Sequence, residues 1–332
     1  MGAFLKFFLG ILLLIILAFT ASYAFVKLSA KPLDDEARAK APGSFITLSA
    51  GQVHYRWHGP ENGPVIIMSH GFSTPNFIFE QNAAALAADG FRVLTYDHFG
   101  RGWSDRPRVK YDVDFYDQEL LELTDALGLR EPFGLVGLSM GGPITAEFTA
   151  RHPERVAKLF LFVPAGFVLG AEPGSASDKL LRTKLVGDMV WRLIGKRILL
   201  GDRQYDETDL AAQNRLAGDV SEQMQYAGYF EALLSSYRHL PMHDRDATYA
   251  RTEAQNIPVH AVFGTDDQTV LIASADRLAK AMPSAQITRL EGGEHGLNYQ
   301  MNSVTNPMLV NFFSSLKKAD PQQELIETPR EN

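Results

Sequence analysis

The pentapeptide Gly137-Leu138-Ser139-Met140-Gly141 constrains the fold of this chain more than any other feature. An apolar run ends at Leu135-Val136 just before it, and an amphipathic segment follows at residues 142–152. This context predicts a buried strand, a very tight turn with the serine at its tip, and then a helix. Side chains two residues to either side of the serine would collide with so tight a turn, which explains the two glycines.

Apolar and amphipathic segments alternate around that unit. Continuous apolar runs predict strands buried on both faces at residues 64–69, 92–96, 133–137, 157–163, 259–263 and 286–290. Amphipathic patterns predict helices at residues 81–88, 115–127, 142–152 and 273–281. Two more strand-like runs within 45–58, separated by Ser49-Ala50-Gly51, predict a hairpin. Because alternation requires crossover connections, we expect an α/β fold with a mostly parallel central sheet flanked by helices.

The alternation fails between about residues 167 and 256, where the pattern indicates several helices and no clear buried strand. We therefore expect residues 167–256 to form a helical cap over the end of the sheet. The cap would interrupt a core made of residues 44–166 and 257–316. Residues 28–43 are polar and typical of a linker, and residues 317–332 are typical of a frayed polar tail.

The N-terminal segment is apolar enough to cross a membrane. No charge occurs in residues 7–26, between Lys6 and Lys27. At about 1.5 Å per residue, this run matches the ~30 Å hydrocarbon core of a bilayer. A transmembrane anchor within residues 1–27 is the preferred interpretation. A cleaved signal sequence, which would leave a secreted or periplasmic protein, stays open because Ser22-Tyr23-Ala24 resembles a cleavage site. Basic residues on both sides leave the orientation undecided.

Composition excludes several classes of function. The net charge of −7 provides no basic surface for nucleic acid, so we expect no nucleic-acid partner. The chain has no cysteine, which excludes disulfides, thiol catalysis and cysteine metal sites. No phosphate-binding loop, dinucleotide fingerprint or metal-ligand cluster stands out, so we expect neither a cofactor nor a metal. The sequence does not indicate an oligomeric state.

Three motifs in order resemble a known family. They are His70-Gly71 after a strand, Asp97-His-Phe-Gly-Arg-Gly-Trp-Ser-Asp105, and Gly137-Leu-Ser-Met-Gly-Gly142. Together they are similar to the capped α/β hydrolases, which include esterases, acylglycerol lipases and meta-cleavage-product hydrolases. The resemblance covers roughly Phe45 to Leu316. It implies a serine nucleophile at Ser139, followed along the chain by an acid and then a histidine.

Positions after the last strands supply those two partners. His295 lies in Gly292-Gly293-Glu294-His295-Gly296, and histidine is suited to accept a proton from serine near neutral pH. The resemblance places the acid three residues after Gly264, which is Asp267. Its role would be to fix the tautomer of the imidazole and to stabilise the imidazolium. The adjacent Asp266 is the alternative, and is otherwise a local turn residue.

Two backbone N–H groups are candidates for an oxyanion hole. The N–H of Met140 lies at the predicted start of the helix behind Ser139, where it can point at a developing negative charge. The resemblance implies the N–H of Phe72 as the second donor. We expect His70 to brace that loop rather than to take part in chemistry. Arg101 is expected to hold backbone carbonyls or Asp105.

These residues favour a hydrolase of carboxylic esters, either lipid-like or small, with a small-molecule substrate and contact with the membrane through the N-terminal segment. Serine rather than aspartate at position 139 separates the chain from dehalogenases and epoxide hydrolases of similar pattern. One alternative is C–C bond hydrolysis of the meta-cleavage type, which Gly296 after His295 makes less favoured. Another is a non-catalytic ligand-binding protein of the same fold.

A segment of the expected cap has a broad apolar face. Residues 179–200 carry apolar side chains at helical spacing, with Trp191 and basic residues among them. The first interpretation is a single cap helix that packs on the core or lines an acyl pocket. The second is that this face contacts the bilayer and admits a lipid-derived substrate.

Overall fold

The computed structural model describes residues 2–170, 173–201 and 210–317. Its centre is one eight-stranded sheet with the spatial order β1-β2-β4-β3-β5-β6-β7-β8. Strands β1 and β2 form the predicted antiparallel hairpin, β2 pairs antiparallel with β4, and all the other pairs are parallel. The strands are β1 (Ser44–Leu48), β2 (Gly51–His58), β3 (Val65–Ser69), β4 (Arg92–Tyr96), β5 (Phe133–Leu138), β6 (Val156–Phe162), β7 (Val259–Gly264) and β8 (Gln286–Leu290).

Helices flank the sheet and follow most of the strands. They are α1 (Gly2–Leu28), α2 (Asp35–Arg38), α3 (Glu80–Ala88), α4 (Val113–Ala126), α5 (Gly141–Arg151), α6 (Ala176–Arg182), α7 (Val186–Leu200), α8 (Leu210–Gln223), α9 (Tyr229–His239), α10 (Asp246–Glu253), α11 (Ala273–Ala281), α12 (Leu297–Gln300) and α13 (Asn302–Phe313). Short 3₁₀ helices occur at Asn76–Phe79, Pro153–Arg155 and Ser314–Leu316. The predicted α/β architecture is confirmed, and the predicted strands and helices agree with the observed ones within about two residues. Helices α12 and α13 were not predicted.

The inner strands β3 to β7 are mostly buried on both faces, because helices cover the two sides to which their side chains alternate. The prediction that residues 286–290 are equally buried is wrong, because β8 lies at the edge of the sheet, and its Gln286 and Arg289 are exposed. Every residue of β5 is buried. Leu135 belongs to the apolar cluster on one face and Val136 to the cluster on the other, and Ile67 and Ile66 of β3 divide in the same way. Continuous apolar runs are what such doubly covered strands require, which is why the sequence pattern predicts them well.

The described residues between β6 and β7 contain helices α6 to α10 and no strand longer than an isolated bridge. The prediction of one helix over residues 179–200 is wrong. The chain instead breaks between α6 and α7, where Leu185 has a φ of 66°. The N–H of Leu185 donates to the Asp188 carboxylate, so the break is held by a local hydrogen bond. Uniform apolar spacing on both sides hides such a break from a periodicity argument.

Helix α1 is long and apolar enough to cross a membrane, and its spanning candidate covers Phe4–Leu28. The expected linker after it is ordered, because Asp34 caps the short helix α2 and Lys31 pairs with Tyr226. Of the expected polar tail, residues 318–332 lie outside the described part of the chain. Lys317 forms an ion pair with Asp89.

Candidate active site

Ser139 occupies the turn between β5 and α5, with a φ of 51° that non-glycine residues rarely adopt. Its N–H donates to the Phe162 carbonyl at 3.0 Å, and its carbonyl accepts from the Gly142 N–H at 2.9 Å. A Cβ atom on Gly137 would lie 2.4 Å from Thr145 Oγ1, and one on Gly141 would lie 2.2 Å from the Ser69 carbonyl oxygen. The predicted collision with the turn is confirmed for Gly137, whereas a side chain at position 141 would collide with the end of the neighbouring strand β3.

The loops after β7 and β8 bring Asp267 and His295 to Ser139. Ser139 Oγ lies 3.0 Å from His295 Nε2, and His295 Nδ1 lies 2.8 Å from Asp267 Oδ2. A carboxylate only accepts hydrogen bonds, so the Nδ1–H donates to Asp267 and Nε2 is left to accept from the Ser139 hydroxyl. Ser139 and His295 each keep 8% of their surface exposed, whereas Asp267 keeps 2%.

Asp267 is held more firmly than its neighbour Asp266. Its Oδ1 accepts from the N–H groups of Thr269 at 2.7 Å and Val270 at 2.9 Å, which leaves Oδ2 for His295. The Asp266 side chain is exposed, and its Oδ1 accepts from the Thr265 hydroxyl. The structure therefore joins Asp267 to the histidine and leaves Asp266 as a turn residue.

The predicted oxyanion donors belong to residues near Ser139, one next to it in the chain and one on a neighbouring loop. Met140 directly precedes α5 and is buried. The loop that carries Phe72 passes close by, because the Cβ position of Gly71 is 3.4 Å from the Ser139 Cβ. Neither the Met140 N–H nor the Phe72 N–H donates a hydrogen bond to another residue that the structure describes. Among the described residues, neither N–H is therefore used in a hydrogen bond to the rest of the protein.

His70 braces the loop, as predicted. Its Nε2 accepts from the His98 N–H at 3.0 Å, so its Nδ1 carries the hydrogen and donates to the Gly71 carbonyl at 2.8 Å. Complete burial lowers the pKa of His70 well below its ordinary value, which keeps the ring neutral. The Gly71 carbonyl and the Phe72 N–H belong to the same peptide group, so this hydrogen bond also fixes the direction of the Phe72 N–H.

Arg101 holds the next peptide group of the same loop. Its Nε donates to the Phe72 carbonyl at 3.0 Å, its Nη2 donates to Ser236 Oγ at 2.9 Å, and the side chain is fully buried. The expectation that it holds backbone carbonyls is confirmed. The suggested pair with Asp105 is wrong, because Asp105 accepts from Arg38 and from the Gln52 N–H.

Sequence reasoning missed a buried group beside this loop. Glu119 Oε2 lies 2.6 Å from His98 Nδ1, and His98 Nε2 lies 2.9 Å from Ser69 Oγ. Burial raises the pKa of Glu119 to about 8, although the Phe99 N–H donates to its other oxygen. A signal was present, because Glu119 lies on the apolar face of α4 between Tyr116 and Leu123.

A second missed group joins the linker to the core. His54 Nδ1 lies 2.8 Å from Asp97 Oδ2, and His54 Nε2 lies 2.7 Å from the Pro42 carbonyl oxygen. Burial alone would lower the pKa of His54, but Asp97 and Pro42 raise it above its ordinary value. Burial alone would raise the pKa of Asp97, but His54 and the Asn76 N–H lower it to about 2. The pair stabilises the loop that follows β4.

Comparison with known proteins identifies the fold family of the chain. The family model of the alpha/beta hydrolase fold matches residues 64–300. A non-heme chloroperoxidase of Streptomyces lividans is 26% identical over 288 residues, which cover 82% of this chain and 100% of that protein. A monoacylglycerol lipase of Bos taurus is 23% identical over 285 residues, which cover 82% of each chain.

A solved esterase from Exiguobacterium antarcticum superposes with a TM-score of 0.68 at 21% sequence identity. The match covers 83% of this chain and all of the esterase chain. Fold similarity at this identity concerns the architecture alone. The family match spans the strands and loops that carry Ser139, Asp267 and His295, and the protein belongs to the α/β hydrolase fold family.

Proposed function

We propose that this hydrolase cleaves carboxylic esters through an acyl-enzyme, with Ser139 as nucleophile, His295 as base and Asp267 as its orienting acid. The observation that carries the proposal is the unbroken hydrogen-bond series from Ser139 Oγ to His295 Nε2 and from His295 Nδ1 to Asp267 Oδ2. The named relatives include both a lipase and a chloroperoxidase, so their names do not decide the reaction. The site chemistry is therefore the main support.

In the first half-reaction, the Ser139 oxygen attacks the ester carbonyl carbon while its proton moves to His295 Nε2. Asp267 stabilises the imidazolium that forms and does not itself take the proton. The tetrahedral intermediate then breaks its bond to the alkoxy oxygen. That oxygen receives the proton from His295, and the alcohol leaves an acyl group on Ser139.

In the second half-reaction, His295 accepts a proton from water, and the water oxygen attacks the acyl carbon. Collapse of the second intermediate returns the proton to Ser139 and releases the carboxylic acid. We assign the N–H groups of Phe72 and Met140 to the carbonyl oxygen as its negative charge develops in each step. His70 and Arg101 support this assignment because they hold the two peptide groups that flank Phe72.

We further propose that α1 is an uncleaved membrane anchor and that the substrate is a lipid-like ester. In this proposal, residues 44–166 and 257–316 are the catalytic core, and residues 167–256 are a cap over it. The support is the apolar length of α1 and the helical insertion between β6 and β7.

The test is turnover of a chain-length series of p-nitrophenyl esters by the detergent-solubilised chain and its Ser139→Ala variant. We expect turnover by the wild type, an optimum at one chain length, and loss of turnover in the variant. A vinylogous diketone of the meta-cleavage type serves as the competing substrate. Cleavage of the diketone without ester turnover would replace the ester proposal with C–C hydrolysis. A folded wild type that turns over neither compound would favour the binding-protein alternative.

A further inference from the structure

Helix α7 presents an unusual surface for the exterior of a protein. Val186, Ile194 and Ile198 are 46–49% exposed, although the same helix is anchored in the molecule by the buried Trp191 and Leu199. Leu185, just before the helix, is 76% exposed. Apolar side chains clustered in this way indicate a surface that another phase or molecule covers.

The end of α1 lies against this helix. Tyr23 and Val26 of α1 are partly buried, whereas the apolar side chains within residues 4–22 are exposed. Arg192 of α7 donates from Nη2 to the Val26 carbonyl at 3.2 Å. The contact thus falls near the C-terminal limit of the apolar span, where a bilayer-crossing helix leaves the hydrocarbon core.

The chain after α1 is also fastened beside the cap helices. The Lys31 N–H donates to the Gln225 carbonyl at 2.9 Å, and the Ala227 N–H donates to the Lys31 carbonyl at 2.8 Å. Lys31 Nζ donates to Gln225 Oε1 at 2.8 Å. This connection between α1 and the cap helices is short and is held by hydrogen bonds. The depth of α1 in a membrane therefore also sets the distance of α7 from the membrane surface.

Basic side chains accompany the apolar ones. Lys184, Lys196 and Arg197 are exposed on or next to α7, among the same apolar residues. Long basic side chains can hold their charge at the level of lipid headgroups while apolar neighbours enter the acyl region. This combination matches the boundary of an anionic bilayer better than it matches another apolar protein face.

We propose that α7 lies in the headgroup boundary of the bilayer that α1 crosses, with Val186, Ile194 and Ile198 inserted and the basic residues at the phosphates. The part of the proposal that concerns substrate rests on the proposed function: an ester resident in the membrane would reach the site from this side. Binding of α7 to the bilayer does not itself require catalysis, so the two claims can fail separately.

The test measures depth in the membrane. Because the chain has no cysteine, single-cysteine variants Ile194→Cys and Ile198→Cys of the full chain can each carry one environment-sensitive fluorophore. Val304→Cys is the matched control, since Val304 is also an exposed branched aliphatic residue but lies on α13, which packs on core elements. The proteins are reconstituted in phosphatidylcholine–phosphatidylglycerol vesicles with a lipid that carries a quencher near the acyl carbonyl.

We expect quenching and a blue shift at positions 194 and 198, and neither effect at position 304. Labels at 194 and 198 that behave like the label at 304 would overturn the proposal. A blue shift of the labels at 194 and 198 that appears already in detergent and increases with protein concentration would also overturn the proposal. It would indicate that a second copy of the chain covers this face.

A second measurement concerns the substrate. The double variant Ile194→Asp, Ile198→Asp should turn over a vesicle-resident monoacylglycerol on the order of tenfold more slowly, with unchanged turnover of water-soluble p-nitrophenyl acetate. Val304→Asp should leave both rates unchanged. Equal rates for the double variant and wild type on the vesicle substrate would remove the substrate route. If the wild type cleaves neither ester, the proposed function fails, and the fluorophore depths still decide the position of α7.

Discussion

Two series of a carboxyl group, an imidazole and a hydroxyl occur in the part of the chain that the structure describes, and their hydrogen-bond distances are nearly the same. In one, Asp267, His295 and Ser139 are joined at 2.8 Å and 3.0 Å. In the other, Glu119, His98 and Ser69 are joined at 2.6 Å and 2.9 Å. Residue type and distance alone would identify both as candidate triads.

Access and backbone geometry separate the two series. Ser69 is the last residue of β3 and is completely buried, as is His98. Ser139 stands at the tip of a tight turn with positive φ, and it and His295 keep some exposed surface. Of the two hydroxyls, only that of Ser139 belongs to a residue with exposed surface, which attack on a substrate requires.

The series of Glu119, His98 and Ser69, called the buried series below, has a structural role. His98 donates its N–H to His70, which in turn holds the Gly71 carbonyl, and Glu119 accepts from the Phe99 N–H. Glu119 and His98 therefore support the loop that presents Phe72 to the site. The comparison teaches that a triad requires an open side and nearby oxyanion donors, besides the three residue types in order.

The largest expected difference between the series is the effect of removing each hydroxyl. Ser139→Ala should lower kcat for ester hydrolysis by about 10⁴-fold or more, because the acyl-enzyme cannot form. Ser69→Ala, the matched change in the buried series, should keep kcat within a few-fold and cost about 1 kcal/mol of folding stability. Ester kinetics and urea unfolding of both variants check this. Comparable losses of kcat would show that the proposed division is wrong.

Asp267, the acid of the series that contains Ser139, gives the next largest effect on kcat. Asp267→Asn should reduce kcat by about 10⁴-fold, because an amide does not favour the required tautomer of His295. Asp266→Asn, one residue earlier, should stay within a few-fold of wild type because its carboxylate accepts from the Thr265 hydroxyl, whereas Asp267 is the partner of His295. Steady-state kinetics of the pair provide the measurement. A larger loss of kcat in Asp266→Asn than in Asp267→Asn would assign the role of the acid to Asp266.

The acid of the buried series should affect stability more than catalysis. The pKa of Glu119 rises from its ordinary 4.5 to about 8 in the folded protein. Between these values the folded state binds the extra proton, so stability contributed by Glu119 is complete below about pH 4.5 and is lost as pH rises to about 8. The loss therefore extends over the whole interval between these two pH values.

The variant Glu119→Gln has no group that titrates at this position, so it does not lose this stability as pH rises. The stability of the variant relative to wild type should therefore increase steadily from pH 5 to pH 8. Urea unfolding of the two proteins across that range checks the slope. A constant difference would mean that Glu119 is ionised throughout, as in an ordinary ion pair. We expect kcat of the variant at neutral pH to remain within a few-fold of wild type.

Sequence patterns predicted the series that contains Ser139 better than the series that contains Ser69, for a physical reason. The tight turn at Ser139 needs glycines at fixed local positions, and His295 and Asp267 follow strands whose ends meet at one edge of a parallel sheet. The family resemblance then supplied the order of roles. These signals lie within short stretches of sequence.

The contacts that were missed depend on tertiary packing. Glu119 meets His98 only because α4 lies on the sheet beside the end of β4, and Arg38 of the expected linker takes the place at Asp105 that was suggested for Arg101. Local spacing carries no information about such partners. The break between α6 and α7 was missed because apolar spacing continues across it.

The most direct test of the account is where a fluorophosphonate attaches. The detergent-solubilised chain is treated with the probe, digested, and analysed by mass spectrometry, with Ser139→Ala and Ser69→Ala treated in parallel. We predict one adduct on the peptide that contains Ser139, its retention in Ser69→Ala and its absence from Ser139→Ala. An adduct on Ser69, or unchanged labelling of Ser139→Ala, would contradict the assignment of Ser139 as the nucleophile.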